Sequence, residues 1–114
     1  MINSRAKGAR AERLLSHSLN ALLEEEGVVT RRGQQFCGIN GDQDIVGIPH
    51  IHCECKAVER LNIYDAIDQA KRDARKDELP CVFHKKNRKE WLVTMPLIEW
   101  IKLFKAYNKA MKER

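Results

Sequence analysis

The chain has 114 residues, 21 of them Lys or Arg against 16 Asp or Glu, for a formal net charge of +5. That length predicts one domain spanning residues 1–114 with a modest core, and the basic balance favours polyanionic partners, nucleic acid first and acidic membrane second. No apolar run approaches the ~18 residues of a membrane span, and the polar, basic start lacks the apolar stretch of a signal peptide, so a cytoplasmic location with reduced thiols is expected.

The first predicted element is a helix from about Ser4 to Glu26. Ala11, Leu14, Leu15, Leu19, Leu22 and Leu23 follow helical spacing, and Gly27 marks the end. Val28 to Arg31 reads as a short β-branched strand. The polar, glycine-bearing stretch from Arg32 to Gly41 has room for another around Gln35-Phe36-Cys37. Asp44-Ile45-Val46-Gly47-Ile48 and Ile51-His52-Cys53-Glu54-Cys55-Lys56, broken by Pro49-His50, form a predicted hairpin.

A second helix starts near Asn62, an N-cap candidate with Asp65 three residues on, and buries Ile63, Ala66, Ile67, Ala70 and Ala74 before Pro80. Cys81 to His84 and Trp91 to Thr94 make a strand pair across the basic turn Lys85 to Lys89. Pro96 opens a last helix carrying Leu97, Ile98, Ile101, Leu103 and Phe104 on or near its apolar side. The order is αβββαββα, an α/β fold with a mixed β-sheet flanked by helices.

The hairpin carries the chemistry. Side chains alternate along a strand, so His52, Glu54 and Lys56 share one face while Ile51, Cys53 and Cys55 share the other. The turn at Pro49-His50 brings Asp44 opposite Glu54 to within about one residue of register. Two acids and an ammonium then converge, an arrangement suited to a divalent cation and to chemistry on phosphate. The alternative is a cross-strand salt bridge. Cys53-x-Cys55 beside His50 and His52 also admits a zinc site, but C-x-C within a strand is a poor start for one. Alternation assigns both cysteines to the core.

Asp44…Glu54-Cys55-Lys56 resembles the motif of the PD-(D/E)xK nucleases. Lys7-Gly8-Ala9-Arg10-Ala11-Glu12-Arg13 narrows the likeness to the archaeal-type Holliday junction resolvases, which open with a basic, glycine-containing segment leading into a helical Glu-Arg. The resemblance runs from about Arg5 to Trp100. Gln43 stands where the motif has proline, and Asp42 competes with Asp44 as the acidic ligand; the strand following Asp44 directly favours the latter.

The resemblance implies a restriction-endonuclease-like core and a Mg2+-dependent endonuclease, with Mn2+ able to substitute, that cuts branched double-stranded DNA. It implies Asp44, Glu54 and the backbone carbonyl of Cys55 as metal ligands, Glu12 reaching the metal directly or through water, and Lys56 serving the attacking water or the transition state. Gln69, in the second helix, either faces this site or is a surface glutamine. Arg5, Lys7, Arg10 and Arg13 are expected to contact DNA phosphates, which position nucleic acid without reading sequence. Two matched nicks in a four-way junction call for a homodimer. Trp100, Phe104 and Tyr107 are candidates either for its interface or for the core, and the alanine-rich second helix is an equal candidate for the interface. Other branched or linear DNA substrates, and a catalytically silent DNA-binding module, are the competing functions.

Overall fold

The computed structural model describes residues 4–33 and 43–114; the expected strand around Gln35-Phe36-Cys37, Asp42 and the side chain of Arg5 lie outside the described residues. Among the described residues the fold is mixed α/β, with three α-helices and a five-stranded sheet of spatial order β1-β2-β3-β4-β5.

Helix α1 (Ser4–Leu22) buries Ala11 and Leu15, with Leu19 partly buried one turn further on, the spacing of a single helical stripe. It ends four residues earlier than its periodicity predicts, and Leu14 and Leu22 are exposed. Three consecutive glutamates explain the early stop, because negative charge opposes the dipole at a helix C-terminus. Glu24–Glu26 instead form a 3-10 turn closed by Gly27 in the left-handed region, φ 69°.

The expected strand over Val28 to Arg31 also shrinks. Strand β1 is Arg31–Arg32 alone, and Val29 is exposed. The cause is Asn20: its Oδ1 accepts the Thr30 N–H at 2.6 Å and its Nδ2 donates to the Thr30 carbonyl at 3.1 Å. A side chain of α1 thus takes both backbone groups that a ladder would use. The Ser16 and Thr30 hydroxyls, 2.7 Å apart, complete this clamp.

Strands β2 (Ile45–Val46) and β3 (Ile51–Ala57) form the expected hairpin, with Ile45 opposite Cys53. Gly47 follows β2 at φ 111°, where a Cβ would run into the backbone of Val29 and Thr30. Helix α2 (Ile63–Asp73) is capped as predicted, the Asn62 side chain accepting the Asp65 N–H at 3.1 Å. It crosses to β4 (Leu79–Lys85), which pairs in parallel with β3 from Ile51 opposite Leu79 to Ala57 opposite Lys85. Pro80 lies inside β4, earlier than the predicted strand start. Its missing N–H costs no ladder bond, because Leu79 faces β3 and Pro80 faces β5 (Leu92–Thr94), whose pairing begins only at Val82.

Two apolar layers sandwich the sheet. Ala11, Leu15, Ile45, Cys53 and Cys55 pack together on the α1 side, and Ala66, Ala70 and Val82 on the α2 side. The alanine face of α2 is therefore spent on the sheet. Helix α3 (Leu97–Lys112) behaves otherwise: it has no buried residue, and Leu97, Ile98, Trp100, Leu103, Phe104 and Tyr107 are exposed. A core role for these side chains is overturned. Among the described residues no helix is long and apolar enough to cross a membrane.

Candidate active site

Asp44 ties three strands together. Its N–H donates to the Cys53 carbonyl of β3 at 3.0 Å, and its own carbonyl accepts the Gly33 N–H just beyond β1 at 2.9 Å. Its side-chain Oδ2 accepts the Cys55 N–H at 2.8 Å. With Ile45 paired to Cys53, Asp44 lies within about one residue of register with Glu54, as the hairpin turn predicts.

Both acids are deeply buried, Asp44 at 6% and Glu54 at 1% exposure. Burial first and then the Glu54 charge push the Asp44 carboxyl up to about 7, against the opposing Cys55 N–H. The charge of Glu12 reaches Asp44 in the same upward sense.

The N–H and C=O of one strand residue point to the same edge, so the Cys55 carbonyl, like its N–H, faces the Asp44 side of β3. The Cys55 thiol points into the α1-side core, pushed up to about 12 by burial and then by Asp44. Cys53 and Cys81 are likewise raised by burial.

Lys56 Nζ donates to Gln69 Oε1 at 3.3 Å, which brings Gln69 of α2 to strand β3. Arg32 Nε donates to Glu12 Oε1 at 2.9 Å. Lys7, Arg10 and Arg13 lie exposed on α1. Among the described residues no group of three or more His, Cys, Asp or Glu side chains is gathered as for a metal ion. The set assembled here has two facing carboxylates and a strand carbonyl, all oxygen, which fits a hard dication that keeps most of its waters.

Sequence reasoning missed three partners of this site. His52 is fully buried with Nε2 2.7 Å from Glu54 Oε1. Burial lowers its pKa, but the hydrogen bond and charge of Glu54, then Glu78 and Asp73, raise it beyond that, for a net upward shift. Gln43, in the motif's proline position, accepts the Cys53 N–H through Oε1 at 3.2 Å and donates through Nε2 to Glu78 at 2.6 Å. Alternation does put His52 on the Glu54 face; nothing local announces Glu78. Comparison with protein-family models, curated proteins and solved structures finds no match to this chain.

Proposed function

We propose that this chain is a Mg2+-dependent, structure-specific DNA endonuclease of the archaeal-type Holliday junction resolvase kind, with a restriction-endonuclease-like core and Mn2+ able to replace Mg2+. The reading rests on the buried Asp44–Glu54 pair: two carboxyls held face to face at the cost of a raised pKa ask for a cation between them. Asp44, Glu54 and the Cys55 carbonyl would hold it, with Glu12 behind them.

When bound, a hard dication neutralises charge on the scissile phosphate and makes water a better nucleophile. Lys56, steadied by Gln69, stands one strand step beyond Cys55, where its ammonium can orient the attacking water or offset charge on the phosphoryl oxygens. Water oxygen bonds to phosphorus as the bond to the departing sugar oxygen breaks. Lys7, Arg10 and Arg13 supply phosphate contacts outside the reaction centre. The protein acts in the cytoplasm as a homodimer, because paired nicks need two sites. Helix α3 supplies an uncovered apolar face for the second copy, where Trp100 and Phe104 stack with centroids 5.4 Å apart.

One observation favours a second reading. The Arg32–Glu12 ion pair occupies a carboxylate that cleavage is expected to use, as in a DNA-binding module that does not cut. Labelled four-way junction, flap and linear duplex, each incubated with Mg2+ or EDTA, separate the cases. Symmetric nicks in the junction alone support resolution; cleavage of flap or duplex supports another nuclease of the same kind. Binding without cleavage in either Mg2+ or Mn2+ removes the nuclease reading.

A further inference from the structure

A third carboxylate lies behind the acidic pair, linked to it by one imidazole. His52 has no exposed side-chain surface, and its Nε2 meets Glu54 Oε1 at 2.7 Å. Its Nδ1 is buried without a hydrogen-bond partner and faces Glu78 Oε1 at 3.7 Å, within ion-pair range. Glu78 is itself fixed twice. Its Oε1 accepts the Arg75 N–H at 2.8 Å, and its Oε2 accepts Gln43 Nε2 at 2.6 Å. Gln43 is the neighbour of Asp44 and bonds the Cys53 N–H on β3. The side chains of Gln43, Glu78, His52 and Glu54 thus form a circuit that starts beside one acid of the pair and ends on the other.

We infer that His52, backed by Glu78, is a positioning residue that fixes the rotation of the Glu54 carboxylate toward a divalent cation. The argument is geometric and rests on the nuclease reading of the site. A carboxylate on a flexible stem rotates freely unless a donor holds one oxygen. Nε2–H donation to Oε1 leaves Oε2 as the oxygen available to a cation. Outer partners of this kind hold metal-binding side chains in orientation, and their loss typically weakens metal affinity. Glu78 lies on the other side of the ring, its Oε1 3.7 Å from Nδ1. Gln43 anchors Glu78 to the strand that carries Asp44.

Injection of Mn2+ into the DNA-free protein, followed by calorimetry, reads cation binding without any cleavage step. His52→Leu removes the donor and is expected to weaken Mn2+ binding about 10–100-fold. His52→Gln places an amide donor near the position of Nε2 and is expected to stay within about threefold of the wild type. Glu78→Ala removes the backing together with the bonds to the Arg75 N–H and Gln43 Nε2, and is expected to weaken binding about 2–5-fold. Equal affinity in the wild type and a folded His52→Leu overturns the assignment. Equal losses in His52→Leu and His52→Gln also overturn it, because they mark a packing role. Should His52→Leu fail to fold, Glu78→Ala decides the matter, and unchanged affinity there refutes the inference. A wild type that binds no Mn2+ and cuts no DNA loses both readings. One that binds and cuts while the variants bind equally well loses the positioning role alone.

Discussion

Replacing Asp44 with Asn should make the metal-free protein more stable, and only above acidic pH. The Asp44 carboxyl is raised from 3.8 to about 7 by burial and by Glu54. Between those values the native state keeps a proton that the unfolded chain has released, so stability falls as pH rises through this window. About three pKa units at 1.36 kcal/mol each put the full penalty near 4 kcal/mol above pH 7. Asn cannot ionise, yet its Oδ1 still accepts the Cys55 N–H, so the variant escapes the penalty while keeping that bond. For a chain of this size the gain in Tm is about 15 °C at about pH 8 and close to nothing at about pH 4. Thermal melts of both proteins in EDTA across that range check it, and excess Mg2+ should narrow the gap by stabilising only the wild type. A gain that is the same at both pH values refutes the reasoning, as does a loss of stability at the higher one.

Three further outcomes are expected. Lys56→Ala should lower single-turnover junction cleavage by about 10²–10³ while junction affinity changes little, measured by gel shift; normal cutting removes Lys56 from the site. Alanine at Lys7, Arg10 and Arg13 together should reduce the slope of log affinity against log salt by about 2–3, and an unchanged slope means that α1 carries no phosphates. Gly47→Ala should cost about 1–3 kcal/mol or more in urea unfolding, because φ is 111° and the added Cβ meets the Val29 carbonyl. A cost below about 0.5 kcal/mol contradicts that placement.

The apposition of Asp44 and Glu54 was legible because alternation and a two-residue break determine it locally, as the Asn62 cap is determined by its own first turn. Elements set by distant partners were not. Asn20 captures Thr30 across the α1–β1 connection, and no strand propensity in Val28-Val29-Thr30 foretells that. His52 meets Glu78 only because α2 returns the chain beside β3, so their pairing is a property of the crossover. Gln43 read as a missing proline; its role depends on Glu78 and was hidden with it. Periodicity revealed an apolar side of the last helix without saying what covers it, and α3 leaves it open. The early end of α1 was readable from Glu24-Glu25-Glu26, where charge outweighs helix propensity.

The parallel pairing of β3 and β4 over seven residues also sets the order in which the molecule becomes competent. The β2–β3 hairpin closes through a tight turn, an event on the microsecond scale, and it alone brings Asp44 to Glu54. The hold of Gln69 on Lys56, and of Glu78 on His52, must wait until the crossover through α2 has closed, and closing longer loops is slower. A refolding chain therefore gathers its acids before it steadies its ammonium. Under the nuclease reading, the half-folded species has the cation ligands without the aligned lysine, so activity should recover with the last kinetic phase, after the hairpin has formed.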